Sequence, residues 1–357
     1  MAEEVFCLQN HLEIQKKIVP ELLELLEKRY NILTTIYYNQ PIGRRMLASY
    51  LGIGERIVRS EVSFFRKQNL IDINSDGMTV TTEGKEILEK LKEFVHELKG
   101  LSEMEEFMRK NLNLKDVIVV PGNVDENELV LDEIGKSAAN YLKELLKDRM
   151  IIALTGGTSV KKLVDNMSKI NDYRHLLVVP ARGGLGRKVE IQANTLVAKL
   201  AEKLSADYRM LQLLENVDYA EIFAILNEES IKEVQENINN ANILIYGIGK
   251  ADEMAARRGF QEAKINKLKQ AGAVGEAFGC YFDRQGNIIF STSTAGIKSE
   301  NTKKIEYRIS IAGGQSKAEA IISVQRYNPQ NILITDEGAA KEIINIIKNE
   351  NNDKGND

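Results

Sequence analysis

The sequence predicts an α/β protein of two domains in series: a small helical domain closed by a hairpin, then a larger three-layer αβα domain of Rossmann-like build. Three observations carry this reading. Between residues 20 and 81 apolar residues recur at helical spacing and then give way to two short alternating strands. From residue 117 onward, uninterrupted apolar runs alternate with helical stretches, the pattern of a buried parallel sheet sandwiched by helices. A chain of 357 residues is long enough to bury a core in each domain.

Taken in order, Pro20 to Tyr38 reads as a helix, with Leu22, Leu23, Leu26, Tyr30, Leu33 and Tyr37 on one side, and Pro41 stops it. The stretch PIGRRMLASYLGIGERIVRSEVSFFRKQNL (41–70) is a short helix, a Gly52-Ile53-Gly54 turn and a second helix. IDINSDGMTVT (71–81) follows as two strands joined around Asp76-Gly77. Helix, glycine turn, helix and hairpin make a winged helix-turn-helix, assigned to residues 1–82. On the second helix Val58, Val62 and Phe65 share the inward side, while Arg56, Arg59, Ser60, Ser63 and Lys67 share the other. Guanidiniums and hydroxyls on an outward face suit base edges and phosphates in a major groove, with Arg44 and Arg45 on the backbone. Residues 40–70 hold six basic side chains against two acidic ones, a local basic patch in a chain whose net charge is −4. Operator DNA is the expected partner of this face.

Residues 83–112 read as one linking helix. Ile87, Leu91, Phe94, Leu98, Leu101 and Met108 step along it as a heptad seam broken only by Glu105. Such a seam predicts pairing with a second copy, hence a homodimer or a dimer of dimers on two half-sites.

Residues 113–348 form the second domain. Its expected strands are Val117–Val120, Ile151–Leu154, Leu176–Val179, Ile243–Tyr246 and Ile332–Thr335, with helices at 128–147, 190–204, 260–271, 315–326 and 337–348. In such sheets ligands bind beyond the carboxyl ends of the strands. Four glycine loops are expected there: Gly156-Gly157-Thr158-Ser159, the Arg182-Gly183-Gly184 loop, Gly247-Ile248-Gly249-Lys250 and Gly313-Gly314-Gln315-Ser316-Lys317. Glycine lets backbone N–H groups approach an anion, and a helix N-terminus adds positive potential. Thr158 and Ser159 add hydroxyls, and Arg182 and Lys317 add charge, so the expected ligand is phosphorylated. Glu276, within AVGEAFGCYFD, would repel phosphate but could accept hydrogen bonds from sugar hydroxyls, or simply cap its loop.

Cys7 and Cys280 lie far apart without a partner motif, and His11, His96 and His175 are scattered, so neither a metal site nor a cofactor is expected. The acidic start MAEEV is no signal peptide and no run approaches a membrane span, so a soluble cytoplasmic protein is expected. The polar tail at 349–357 is expected to be disordered.

The motifs PIGRRMLASYLGIGERIVRSEV, LTGGTSV, PARGGLGRKVEIQANT, GIGKADEMAARRG, AVGEAFGCYFD and AGGQSKAEAI, in that order, resemble the SorC/DeoR group of sugar-binding transcription factors, and within it the repressors of glycolytic genes. The resemblance implies a second domain folded like glucosamine-6-phosphate deaminase and ribose-5-phosphate isomerase. It implies an effector, fructose 1,6-bisphosphate or a related sugar phosphate, that relieves repression. Thr158, Ser159, Arg182 and Lys317 would hold phosphates and Glu276 the sugar hydroxyls, with Gly156, Gly157, Gly183, Gly314 and Asp252 completing the set. The group more often has two threonines where this chain has Thr158-Ser159, and the hydroxyl is kept. The deaminases place Asp-Gly-His after the turn that here reads Gly249-Lys250-Ala251-Asp252, so no catalytic residue is assigned. The alternative is a sugar-phosphate isomerase or deaminase with an accessory helical domain, using Asp252 or Glu276 as base.

Overall fold

In the computed structural model, residues 18–183, 188–211, 229–292 and 296–354 are described, and the chain divides into two units between Ser102 and Glu103. Each unit is built on its own core.

In the first unit Pro20 opens α1 (Pro20–Asn39), where its missing N–H and fixed φ suit the first helical position. α2 (Arg44–Leu51) ends at Gly52, whose φ of +62° closes the helix with its N–H turned back onto Ala48 and Ser49. α3 is Glu55–Lys67. β1 (Ile71–Asn74) and β2 (Gly77–Val80) pair antiparallel, Asn74 facing Gly77. A side chain at Gly77 would strike the Ile42 backbone at 2.7 Å, so glycine lets the wing lie against the start of the helical pair. Ile32, Leu33, Ile36, Leu47, Val58, Val62, Phe65 and Met78 form the core. Glu61 faces inward, 7% exposed, and accepts from Lys28 and Arg29 of α1, each at 3.0 Å.

The linking segment corrects the sequence reading. It is two helices, α4 (Thr82–Leu98) and α5 (Leu101–Asn111), broken at Gly100 with φ +64°. A glycine just past the last turn is a helix stop, and it outweighs the periodicity that runs through it. The seam residues are also covered within the chain. Ile87 and Leu91 pack on the first unit's core, Phe94 and Leu98 pack with Leu23 and Leu26 of α1, and Leu101 and Met108 are fully buried. Much of the expected self-pairing stripe is thus packed within the chain, while Ile87, Leu91 and Phe94 stay half-buried.

The second unit carries a seven-stranded, wholly parallel sheet in the order β3-β13-β12-β7-β4-β5-β6. Its strands are β3 (Asp116–Val120), β4 (Ile151–Leu154), β5 (Leu177–Pro180), β6 (Asp207–Tyr208), β7 (Ile243–Gly247), β12 (Tyr307–Ile311) and β13 (Ile332–Asp336). One face packs Ile152, Leu154, Ile243, Ile245, Ile309 and Ile334 against α6 (Val130–Leu145), α7 (Thr158–Asn166) and α8 (Ala193–Leu204). The other face includes Ser310, reached by Gln325 of α13 (Ala318–Tyr327) at 2.7 Å. Among the described residues, α9 (Glu229–Asn239), α10 (Ala251–Arg257), α11 (Glu262–Gln270) and the single turn α12 (Ser299–Thr302) are the further α-helices before α13. A four-stranded antiparallel sheet, β8 (Gly249–Lys250), β9 (Gly275–Ala277), β10 (Cys280–Phe282) and β11 (Ile288–Ser291), flanks it.

Strand β12 was not among the expected strands, because Arg308 and Ser310 break its apolar run. Both are buried and bonded. Arg308 donates to the carbonyls of Lys303 (3.0 Å), Ile305 (3.2 Å), Pro329 (2.7 Å) and Gln330 (3.2 Å), tying together the segments that enter β12 and β13. The tail is a second correction. α14 (Glu337–Lys354) runs through residues expected to be disordered, and Arg326 of α13 pairs with Glu350 to hold it. Among the described residues no helix is long and apolar enough to cross a membrane. Cys280 is a buried free thiol, while Cys7 and His11 lie outside the described residues.

Candidate functional sites

After β4 the chain moves outward through β5 and β6, and after β7 it returns the other way through β12 and β13. Neighbours β4 and β7 are therefore the topological switch, where a parallel sheet opens a crevice at its carboxyl edge. The glycine loops after both strands leave the sheet at that edge, since β4 and β7 pair in parallel. Gly156 lies so close to Ile191 that a Cβ would come within 2.6 Å of its carbonyl. Gly157, at φ +128°, donates to the same carbonyl at 2.9 Å and starts α7. Thr158 is exposed and Ser159 buried in the first turn of that helix.

Arg182 and Glu276 come together, but around protein groups. Arg182 is 5% exposed, donates to Thr292 at 2.9 Å, and lies over Gly279 where any Cβ would collide with its guanidinium. Gly183 is buried beside it, and Gly184 to Arg187 lie outside the described residues. Glu276, 3% exposed, accepts from Arg258 at 2.8 Å and from the Gly279 N–H at 2.6 Å. In this state Glu276 is the cap of its turn and the partner of a buried guanidinium. Asp252, at the start of α10, accepts from the Glu253 N–H and pairs with Lys269 at 3.0 Å. Burial works to raise its pKa, but the Lys269 contact prevails and holds it below the usual range. Lys250 is taken by Glu253 at 2.7 Å.

The loop after β12 carries Lys317. Gly314, at φ +103°, donates to both oxygens of Asp336, at 3.0 and 2.9 Å. Asp336 also accepts from Val124 (2.6 Å) and Ala339 (2.9 Å), and burial pushes its pKa up. Lys317 is half-buried, and among the described residues its Nζ has no hydrogen-bond or ion-pair partner. Burial lowers its pKa, opposed by the charges of Glu253, Asp125 and Asp336. A half-buried ammonium without a hydrogen-bonded partner among the described residues is poised for an incoming anion. Asp125, Asn123 and Asp336 were not anticipated. Asn123 and Asp125 sit in a polar loop without periodicity, 192 and 191 residues from their partners Gln315 and Ser316, and Asp336, 22 residues from Gly314, shows only as an acid ending a strand.

On the first unit, Arg56, Arg59, Ser60, Ser63 and Lys67 of α3 are all exposed, as are Arg44 and Arg45 of α2. Arg45 lies 3.6 Å from Glu55, both well exposed, a contact of little energetic weight. Because Glu61 is buried and paired, the outward face of α3 is more basic than the sequence count suggests. Met46, Tyr50 and Ile57 are also exposed there, apolar surface that the sequence reading did not single out.

Comparison with known proteins agrees with both halves. Residues 25–95 match the family described as CggR N-terminal DNA binding domain, and residues 96–345 match a sugar-binding domain family. The chain is 42% identical over 338 residues to the central glycolytic genes regulator of Priestia megaterium, covering 94% of this chain and 99% of that protein. Against the regulator of the same name from Bacillus subtilis it is 40% identical over 333 residues, covering 93% and 98%. Among solved structures, a SorC family transcriptional regulator from Enterococcus faecalis superposes with TM-score 0.63 at 38% identity, over 68% of this chain and 99% of that one. The full-length sorbitol operon regulator of Klebsiella pneumoniae, 20% identical over 90% of this chain and 99% of its own, shares the fold at TM-score 0.63.

Proposed function

Because this chain belongs to the central glycolytic genes regulators, sugar-binding transcriptional regulators of the SorC family and not enzymes, we propose that it represses central glycolytic genes and is released by a phosphorylated sugar, fructose 1,6-bisphosphate or a close relative. The observation that carries the effector reading is Lys317: a half-buried ammonium with no hydrogen-bond or ion-pair partner among the described residues, beside a glycine turn on the rim of the crevice. Thr158 and Ser159, at the start of α7, offer a second anion-binding position. A bisphosphate can use both. Arg182 and Glu276 reach the ligand by exchanging their present protein partners for phosphate and sugar hydroxyls.

On the DNA side, Arg56, Arg59, Ser60 and Ser63 read base edges, while Arg44, Arg45 and Lys67 hold the backbone. Two such helices on two half-sites imply a dimer or a dimer of dimers. The α4–α5 stripe is largely packed inside the chain, and Ile87, Leu91 and Phe94 are the half-buried part of it that a second copy could still cover.

The test is fluorescence anisotropy of full-length protein on DNA from upstream of a glycolytic operon, with and without fructose 1,6-bisphosphate. Specific binding that weakens with the bisphosphate and not with fructose is the expected result. DNA binding indifferent to every sugar phosphate would overturn the effector reading.

A further inference from the structure

The turn Gln315–Lys317 that leads into α13 is already occupied by an anion, and that anion belongs to the protein. Asp125, 191 residues away in the chain, accepts from the Ser316 N–H at 2.7 Å and from the Ser316 hydroxyl at 3.1 Å, one carboxylate oxygen to each. Its carboxylate rests on the bare Cα of Gly314, where a Cβ would come within 2.5 Å of the oxygen. Lys317 and Lys250 both feel its charge. Adjacent N–H and O–H donors, a glycine floor and a neighbouring ammonium are what a phosphate group asks of a protein.

We propose that Asp125 is an in-chain stand-in for phosphate, a competitor that a ligand's phosphate must displace from Ser316, beside Lys317. The inference rests on the reading of this crevice as a sugar-phosphate site. Two anions cannot share these donors, and Asp336 beneath Gly314 and Glu253 nearby already add negative charge. The exchange needs little movement. Asp125 is exposed and can turn into water, while its loop stays anchored by the Val124 N–H on Asp336 (2.6 Å) and the Gly122 N–H on Glu337 (3.0 Å). The stand-in makes the seat selective. A ligand with a neutral hydroxyl there gains nothing by expelling a carboxylate, and a phosphate dianion exchanges one charge for a larger one. Apparent affinity is the intrinsic affinity reduced by the fraction of molecules with the seat open.

The test is calorimetry on the full chain with fructose 1,6-bisphosphate and, separately, inorganic phosphate. Asp125→Asn keeps the shape and removes the charge, and it should bind the bisphosphate about tenfold more tightly than the natural protein. Asp125→Glu, which can refill the seat, should return to the natural affinity. Asp125→Ala serves as a second neutral variant should the asparagine form fold poorly. If the natural protein binds the bisphosphate but the neutral variants bind it equally or more weakly, Asp125 is only a loop clamp and the inference falls while the sugar-phosphate reading stands. If no form binds either ligand, both fall.

Discussion

Replacing Lys317 with methionine keeps the length and apolar stem of the side chain and removes only its charge. The structure fixes the two consequences with opposite signs. In the ligand-free protein burial disfavours the ammonium more than the surrounding acids favour it, since its pKa lies below the ordinary 10.5. Taking the charge away should therefore leave the second unit as stable as before, or slightly more so. Toward ligand the loss is direct. One charge-assisted hydrogen bond to phosphate contributes roughly 1.5–3 kcal/mol, which is about ten- to 150-fold in the dissociation constant. The assay is paired: a thermal melt without ligand, then calorimetry with fructose 1,6-bisphosphate on the same preparation. Operator binding should persist, with a blunted response to the sugar. A variant that binds the bisphosphate within about twofold of the natural protein would show that Lys317 does not touch it. A melt that falls by several degrees would show instead that the lysine is structural, and the argument from its missing partner would be wrong.

Arg59→Ala should cost about 1–3 kcal/mol on the cognate site and relax specificity, whereas Lys67→Ala should weaken all sequences alike and flatten the salt dependence, both read by anisotropy titrations. Glu276→Gln keeps an acceptor for the Gly279 N–H but strips Arg258 of its buried counter-charge. Breaking such a pair costs about 3–5 kcal/mol, a fall of roughly 10 °C in the melting of the second unit, and an unchanged melt with sugar binding lost would make Glu276 a ligand group instead. Burial works to raise the pKa of Glu61, but the hydrogen bonds from Arg29 and Lys28 prevail and hold it below 4.5. Its contribution to stability is present above pH 4.5 and is lost as pH falls through the lowered value, so Glu61→Gln and the natural protein should differ in neutral melts and converge in acid.

The sequence made the helix-turn-helix legible because each of its signals is local: a proline start, a glycine turn, an alternating hairpin, an inward apolar triplet in Val58, Val62 and Phe65. The parallel sheet was equally legible wherever its strands are purely apolar. It was lost at Tyr307–Ile311, because the partners that make Arg308 and Ser310 acceptable inside a core come from other segments, and no window on the sequence shows them. The crevice was half legible. Glycines and hydroxyls at strand ends announced the loops after β4, β5, β7 and β12. Occupancy was not announced: that Asp336 bonds Gly314, that Asp125 sits on Ser316 and that Glu276 serves Arg258 are pairings made by the fold. At Gly100 the sequence did carry the signal, and periodicity on both sides concealed it.

The backbone carbonyls gathered on Arg308 give the two ends of the sheet different lifetimes. Where the chain enters β12 and β13, one planar cation staples several segments at once, and none of those bonds can open alone without stranding a buried charge. Amide exchange there should proceed only when the whole unit unfolds. At the opposite end the loops are held by fewer and separate contacts, the Gly157 N–H on the Ile191 carbonyl after β4 and the Asp336 and Asp125 carboxylates on the loop after β12, so they can open and close many times within one lifetime of the floor. A lineage can therefore rewrite its rim to suit a different sugar and keep the same foundation.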